Sequence, residues 1–269
     1  KLAESVALGR RIERVVCARD EIVYDGVTGA RFRRALAGRT VRAVGRRGKH
    51  LWFELDERPW PLFHFGMTGH FRVRDVAPLK LASSGKKPDD AWPPRFTKLR
   101  LVFGDGGELV MTNARRLGRI RLRDDPLAEP PIAHLGFDPL LDLPSTPDLA
   151  VRMARRKVTL KGLLLDQSFA AGVGNWIADE VCFRARLDPR RRADSLSRPE
   201  VGRVRRALGE IIRRAVAVDA DKTRFPRTWL FHFRWGKETD ARMPSGDRIE
   251  HLTVAGRTTA WVPSRQRGG

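Results

Sequence analysis

The spacing of the apolar residues changes near Asp124, and this change constrains the fold more than any other feature of the sequence. Over residues 1–125 apolar and polar side chains alternate in short runs, as is typical of half-buried strands. The turn at 105–107 contains two glycines between two such runs and predicts a hairpin. Several antiparallel strands at this spacing predict a β-sandwich. The clearest runs are Arg11–Cys17, Thr40–Val44, His50–Leu55, Gly69–Val73 and Leu99–Phe103.

Beyond a proline-rich stretch over 126–145 the apolar spacing becomes that of helices. Thr146 and Pro147 predict an N-cap and first turn for a helix that runs to Arg156. Ser197 and Glu200 predict a capping box before a longer helix. The apolar face of that helix is predicted to be Val201, Val204, Leu208, Ile211 and Ala215.

These patterns predict four segments along the chain. They are a β-sandwich domain over 1–125, a linker over 126–145, a helical domain over 146–224 and a hairpin segment over 225–269. Within the first, residues 76–96 are rich in Lys, Pro and Asp and are predicted to form an exposed loop. Within the last, strands are predicted from Phe225 onward. The final hairpin is predicted to include Ile249–Val254 and Thr258–Val262.

A turn with two glycines, Gly172 and Gly174, lies between two apolar segments of helical spacing. Glycine permits backbone geometry and close approach that a side chain prevents. Asn175 is then predicted at the start of a helix, where unpaired N–H groups and the positive end of the helix dipole favour a phosphate. A purely structural turn is the alternative, because so short a motif is weak evidence.

The charge of the chain is strongly unbalanced. It has 53 Lys and Arg against 32 Asp and Glu, a formal net charge of +21. Such a surface attracts polyanions, so a nucleic acid is the predicted partner; a basic surface that only maintains solubility is the alternative. No membrane partner is predicted, because no basic amphipathic helix, transmembrane-length apolar run or signal peptide is evident. We expect a cytoplasmic protein, nucleoid-associated if it is bacterial.

The cysteines and histidines give no metal-binding pattern. Cys17 and Cys182 are far apart in apolar contexts and are predicted to be reduced core residues. There is no CxxC pair, and the six histidines lack the spacing of metal ligands. The sequence therefore predicts neither a metal nor a cofactor.

The run from Leu163 to Pro189, which surrounds the glycine turn, resembles the helix–two-turn–helix motif of the formamidopyrimidine-DNA glycosylase (Fpg/Nei) family. Four further segments match this family in the same order, so the resemblance covers nearly the whole chain. It implies an α+β fold with an N-terminal antiparallel β-sandwich domain. It also implies a C-terminal helical helix–two-turn–helix domain that carries a zincless-finger β-hairpin.

Two of these segments lie among the predicted strands. Arg46–Leu51 resembles a family segment whose lysine reaches the phosphate or sugar near the lesion, which makes Lys49 the candidate catalytic residue. Phe63–Gly69 resembles the loop whose wedge methionine fills the space of an extruded base, here Met67, and whose histidine contacts phosphate, here His64. The alternatives are a solvated lysine, a core methionine and a buried structural histidine.

The third segment, Asn113–Gly118, resembles the loop that supplies two more void-filling residues. By this resemblance Arg115 hydrogen-bonds the orphaned partner base. Leu117 stands where the family commonly has phenylalanine, so its side chain keeps bulk but loses aromatic stacking. In the helical half, Lys161 and Asn175 match phosphate contacts of the family.

The fourth segment, Val254–Pro263, resembles the DNA-binding finger hairpin of the family. Many members hold that hairpin with four zinc-bound cysteines, which this segment lacks, whereas plant-type members and some animal homologues keep it without metal. Trp176–Glu180 and Phe225–His232 also resemble the plant type. Arg257 matches the arginine that bridges phosphates at the lesion.

The nucleophile of the family is an N-terminal proline exposed after methionine removal, and the following glutamate is its acid/base partner. An α-amino group offers a free base near neutral pH more readily than lysine does. This sequence begins Lys1-Leu2-Ala3-Glu4, and residues 1–9 resemble the second half of the family's first helix. We expect either that an N-terminal segment is missing from this sequence or that catalysis has been abandoned. Glu4 is out of register with the family acid.

The leading hypothesis is a base-excision-repair DNA glycosylase and abasic-site lyase. It is expected to be a monomer that flips oxidised purines out of damaged double-stranded DNA. The first alternative is a non-enzymatic DNA- or RNA-binding protein with a helix–two-turn–helix. That alternative leaves the joint match at four separated positions unexplained: Lys49, Met67, Arg115 and Arg257.

A third hypothesis takes the glycine turn as the helix–hairpin–helix of an unrelated glycosylase or nuclease. That motif usually has Leu-Pro before its Gly-Val-Gly, and this chain has Ala170-Ala171 there. The preferred lesion and the choice between β- and β,δ-elimination stay open. The region 219–248, which in the family often helps to recognise the flipped purine, resembles the plant type but does not define a lesion.

Overall fold

The computed structural model describes residues 1–77, 91–235 and 240–267. The chain forms two compact units, Lys1–His134 and Leu135–Gly269. The division falls inside the stretch 126–145, and the other domain boundaries stay predictions. Most of the exposed loop predicted over 76–96 lies outside the described residues.

The described residues of the first unit form two four-stranded antiparallel sheets, with strand orders β1-β6-β7-β5 and β2-β3-β4-β8. Two short helices, α1 (Leu2–Ala7) and α2 (Gly29–Leu36), accompany them. The strands are β1 (Ile12–Cys17), β2 (Val41–Arg47), β3 (His50–Leu55), β4 (Trp60–His64), β5 (His70–Val73), β6 (Thr97–Phe103), β7 (Glu108–Thr112) and β8 (Arg119–Arg123).

The two sheets share one apolar core. The ring of Phe71 from the first sheet lies 5.9 Å from Phe53 and 5.2 Å from Phe63 of the second, measured between ring centroids. The alternation in the sequence produces this arrangement, because successive strand residues point to opposite faces. The β-sandwich prediction is confirmed, as is the β6–β7 hairpin, where Gly106 adopts a φ of +83° that favours glycine.

In the described part of the second unit there are four α-helices and a two-stranded antiparallel hairpin. The helices are α3 (Thr146–Ala154), α4 (Leu160–Leu165), α5 (Asn175–Ala185) and α6 (Arg198–Ala217), and the strands are β9 (Glu250–Val254) and β10 (Arg257–Trp261). They bury one large apolar cluster around the helices and a smaller one beneath the hairpin.

The caps of the helices follow the predicted chemistry, with one shift. Ser197 and Glu200 form the capping box at the start of α6. The N-cap of α3 is Ser145 rather than Thr146, because the Ser145 hydroxyl accepts the Asp148 N–H and Pro147 then lies in the first turn. The helix ends at Ala154, two residues before the predicted end.

The prediction that strands return from Phe225 is wrong for the first part of that segment. Residues 225–235 form turns and a short 3-10 helix, and the named strands resume only at Glu250. The physical reason is a compact aromatic cluster: the ring centroids of Phe225 and Phe231 lie 5.6 Å and 5.0 Å from that of Trp176. An extended segment would separate Phe225 from Phe231 by about 20 Å, at about 3.3 Å per residue, too far for both rings to contact Trp176.

In the described ranges no helix is long and apolar enough to cross a membrane.

A buried carboxyl group makes the stability of the second unit depend on pH. Glu180 on α5 is 1% exposed, and its Oε2 accepts the Phe231 N–H at 2.9 Å. Burial raises the pKa of Glu180 to about 7, although the Phe231 N–H opposes the shift.

We predict that Glu180→Gln stabilises the protein above neutral pH by up to about 3 kcal/mol, since one pKa unit is worth about 1.4 kcal/mol. The folded natural chain holds the Glu180 proton more tightly than the unfolded chain, so its stability falls as pH rises from about 4.5 to about 7. Urea unfolding of both proteins across this range and above pH 7 measures the difference.

Comparison of the two proteins is needed because the pKa of His50 is lowered to about 4, which makes stability rise with pH in part of the same window. Glu210→Gln, the same substitution at an exposed glutamate of α6, is the matched control. Parallel stability curves for the natural chain and Glu180→Gln would contradict the prediction.

Candidate nucleic-acid interface

Two neighbouring loops of the first unit, residues 65–69 and 113–118, are joined by one buried amide. Asn113 is 0% exposed; its Nδ2 donates to the Phe65 carbonyl at 2.9 Å, and its Oδ1 accepts the Gly118 N–H at 3.2 Å. Asn113 belongs to the family-like segment Asn113–Gly118, but the sequence did not predict that its side chain would link the two loops. These two bonds fix the position of one loop relative to the other.

Glycine is required where the two loops approach most closely. Gly66 has a φ of +64°, and a Cβ there would lie 2.6 Å from the Leu117 carbonyl carbon. A Cβ at Gly118 would lie 2.3 Å from the Asn113 amide nitrogen. Contacts this short exclude any side chain at either position, so the loops form a rigid support for the residues they carry.

The three predicted void-filling residues stand on this support with exposed side chains. Met67 is 63% exposed and Leu117 is 42% exposed. Arg115, exposed as well, places its Nη1 3.7 Å from the Met67 sulfur. The structure thus brings Met67 and Arg115 together and excludes the alternative that Met67 is a core methionine. Exposed apolar side chains that stand together in this way are typical of binding sites.

An ion-pair cluster that was not predicted from the sequence anchors the loop 113–118 through Arg116. Asp20 is 6% exposed and pairs with Lys98 at 2.7 Å and with Arg116 at 3.0 Å, while Arg116 has a φ of +55°. Burial alone would raise the pKa of the Asp20 carboxyl, but the Lys98 and Arg116 hydrogen bonds outweigh it and lower the pKa to about 2. Only the folded chain reveals this partnership, since Asp20 and Arg116 are far apart in sequence.

Lys49 and His64 occupy one end of the second sheet. Lys49 lies exposed in the turn between β2 and β3, next to Gly48, whose φ is +58°. His50 and His64 are paired across β3 and β4, with ring centroids 4.9 Å apart. Burial first, and then the charge of Lys49, lower the pKa of His64. A half-buried neutral imidazole beside an exposed ammonium can donate one hydrogen bond to a phosphate without adding charge.

In the second unit the glycine turn forms the start of α5 as predicted. Gly172 has a φ of +90°, and Gln167 holds the turn: its Nε2 donates to the Val173 carbonyl and its Oε1 accepts the Gly172 N–H. Gly174 is the N-cap and has no side chain to cap the helix. Its backbone is extended and a Cβ would meet open space, so its role is to leave the helix start uncovered rather than to relieve strain.

The structure contradicts the assignment of Lys161 as a phosphate contact. The Lys161 side chain is 0% exposed, and its Nζ lies 2.7 Å from Asp179 Oδ1, which is equally buried. A fully buried ammonium cannot reach a phosphate. Asn175 does lie at the start of α5, where its Nδ2 donates to the Thr258 carbonyl at 2.9 Å; its phosphate contact stays a prediction.

Arg257 begins β10 directly after a two-residue turn. Ala255 and Gly256 both have positive φ, +49° and +69°, as the tightest hairpin connections require. The Arg257 side chain is exposed, and within the described ranges it has no ion-pair partner. The hairpin therefore presents a guanidinium, the side chain best suited to two phosphate oxygens, to solvent.

Within the described ranges no group of three or more His, Cys, Asp or Glu side chains could hold a metal ion. Cys182 is fully buried, whereas Cys17 is only partly buried, so the prediction of a core cysteine is confirmed for the former alone. Burial raises the pKa of both thiols.

Residues 1–120 match the family model described as formamidopyrimidine-DNA glycosylase N-terminal domain, and residues 135–227 match the H2TH domain of the same family. A formamidopyrimidine-DNA glycosylase of Arabidopsis thaliana is 40% identical over 264 residues, which cover 98% of this chain and 67% of the relative. One of Geobacter metallireducens is 32% identical over 263 residues, covering 96% and 92%. The chain belongs to the formamidopyrimidine-DNA glycosylase family.

Solved structures of formamidopyrimidine-DNA glycosylases share this fold. The Lactococcus lactis protein, bound non-covalently to DNA that contains an AP site, has a TM-score of 0.81 at 21% identity, covering 99% of this chain and 96% of the other. MutM in complex with DNA that contains carbocyclic 8-oxo-G gives the same values. The α+β prediction and the helix–two-turn–helix prediction are confirmed, and the helix–hairpin–helix alternative is excluded.

We predict that Asn113→Ala lowers the free energy of unfolding by about 2 kcal/mol, because the Phe65 carbonyl and the Gly118 N–H lose a buried partner. Arg115→Ala is the matched comparison from the same loop. Its side chain is exposed, so its removal changes stability by less than about 0.5 kcal/mol. Equal unfolding midpoints in urea for Asn113→Ala and the natural chain would rule out the clamp.

Proposed function

We propose that this protein is a base-excision-repair DNA glycosylase and abasic-site lyase that acts on oxidised purines in duplex DNA. The observation that carries the proposal is the exposed Met67–Arg115–Leu117 cluster on two loops clamped by Asn113, in a chain of this family. Relatives are named formamidopyrimidine-DNA glycosylase, and solved neighbours contain DNA with an AP site or an 8-oxo-G analogue.

The chemistry of the cluster suits extrusion of a base. An enzyme that acts on a stacked base must take it out of the duplex, which leaves a void and an unpaired partner base. Met67 and Leu117 provide apolar volume for the void, and Arg115 provides hydrogen-bond donors for the partner base. Because hydrogen bonds and close packing hold the supporting loops in place, little backbone conformational entropy is lost when these side chains enter DNA.

The remaining candidate residues suit the phosphate backbone. In the first unit these are Lys49 and the neutral His64. In the second they are the uncapped first turn of α5 at Asn175 and the exposed Arg257. Lys49 is proposed also to stabilise negative charge that develops near the lesion. The net charge of +21 supports a polyanionic partner.

The covalent step of the proposed reaction is attack by an amine on C1′ of the damaged nucleotide. The N–C1′ bond forms, the glycosidic bond breaks, and the base leaves with a proton. Ring opening gives a Schiff base, and loss of a C2′ proton then expels the 3′ phosphate. By family resemblance the amine belongs to an N-terminal Pro-Glu. We propose further that the protein acts as a monomer and is cytoplasmic, associated with the nucleoid if it is bacterial.

Borohydride trapping on a duplex that contains an abasic site tests the proposal, because hydride reduces the Schiff base to a stable amine. The 269-residue chain is measured beside a variant that carries an N-terminal Pro-Glu extension. The expected result is a covalent adduct that depends on the extension, together with release of 8-oxoguanine from a second duplex that contains that base.

An adduct with both proteins would identify another amine, Lys1 or Lys49, as a substitute nucleophile and would support the lyase activity. Tight binding to the duplex without an adduct from either protein would refute the enzymatic proposal. That outcome would favour a non-enzymatic DNA-binding protein.

We predict that Met67→Ala lowers the preference for a duplex with an abasic site over an intact duplex by about tenfold, since the lost side chain no longer fills the void. Affinity for intact DNA stays unchanged. Leu127→Ala, which removes another exposed apolar side chain of the first unit, is the control and keeps the preference. Fluorescence anisotropy with both duplexes measures the ratio; an equal loss on both would contradict the wedge role.

A further inference from the structure

Three charged side chains are buried together in the second unit. Lys161 of α4 and Asp179 of α5 are each 0% exposed and lie 2.7 Å apart, Nζ to Oδ1. The guanidinium of Arg234, 7% exposed, lies 2.7 Å from the other Asp179 oxygen. Charges buried this completely are rare unless they are paired, and even then they cost desolvation free energy.

The polar groups of Lys161 and Asp179 form hydrogen bonds with β10 and are not in contact with solvent. Lys161 Nζ donates to the Thr258 carbonyl at 3.0 Å and to Thr259 Oγ1 at 2.6 Å. Asp179 Oδ2 accepts the Ala260 N–H at 3.1 Å. One buried ion pair therefore holds three successive residues of the strand.

These three residues directly follow Arg257, whose side chain is exposed at the hairpin turn. The Thr259 hydroxyl, which accepts from Lys161, donates to the Arg257 carbonyl at 3.1 Å. Asn175 Nδ2 adds a second donor to the Thr258 carbonyl. The backbone of Arg257 is thus tied to the helices although its guanidinium is free to meet a ligand.

Stability alone is a poor explanation for such a triad, because a buried ion pair often adds no more stability than apolar residues of the same volume. Burial lowers the pKa of Lys161, and the Asp179 charge opposes that shift. A charged Lys161 has the three donors that the geometry uses, on Asp179, Thr258 and Thr259.

We propose that Lys161, with Asp179, is a positioning residue that fixes Arg257 in the orientation required to bind DNA phosphates. The inference rests on the proposed function, since Arg257 is taken to contact DNA. Lys161 itself touches no DNA because its side chain is buried. Removal of the Lys161 side chain is therefore expected to weaken DNA binding by changing the orientation of Arg257.

A double-mutant cycle tests this coupling. Affinity for a duplex with a tetrahydrofuran abasic analogue is measured by anisotropy across a salt titration. In the natural chain Arg257→Ala weakens binding by about tenfold and lowers the salt slope by about one. In the Lys161→Met background, which keeps the length of the side chain and removes the charge, the same Arg257→Ala change weakens binding less than about twofold.

Lys222→Met is the matched control, because it removes one lysine charge at an exposed site of the same unit. In that background Arg257→Ala retains its full tenfold effect. Thr259→Val is the milder second variant: it keeps the β-branched shape, removes the hydroxyl between Lys161 and Arg257, and reduces the Arg257 effect even if Lys161→Met does not fold.

A full Arg257 effect in both the Lys161→Met and Thr259→Val backgrounds overturns the positioning role and leaves the proposed function standing. No Arg257 effect in the natural chain overturns the positioning role as well, while borohydride trapping still decides the glycosylase activity. A merely structural Lys161 would lower the melting temperature without coupling to Arg257, so the coupling itself is the deciding measurement.

Discussion

The second unit depends on the buried ion pair between Lys161 and Asp179. Each charge is removed from water, and this cost is offset by the ion pair itself, by the contact of Asp179 with Arg234 and by the hydrogen bonds of both side chains to β10. The pair therefore has one compatible arrangement of helices and hairpin. That arrangement sets the position of the exposed Arg257.

In the first unit a neutral buried side chain has the same role of fixing neighbouring backbone segments. The Asn113 amide is buried between two loops, and its bonds to the Phe65 carbonyl and the Gly118 N–H leave only one relative position for them. The close approach at Gly66 removes the remaining freedom. In each unit a buried polar group fixes the backbone, and exposed side chains next to it carry the proposed contacts to DNA.

The elements with a local physical cause were predictable from the sequence. Period-two alternation gave the strands of the sandwich, and the Ser197–Glu200 capping box gave the start of α6, since both effects act between near neighbours. The segment after Phe225 was not predictable in this way. Its aromatic side chains pack around Trp176, and that distant contact outweighs their preference for strands.

The sequence by itself determined the fold class, the glycine turn before α5, the basic charge and the identity of the family-like segments. Only the tertiary structure decided which of the candidate lysines is exposed: Lys49 is exposed in a turn, whereas Lys161 is buried against β10. It likewise decided that Asp20 supports Arg116. Burial and ion pairing join residues that are far apart along the chain, so no local pattern records them.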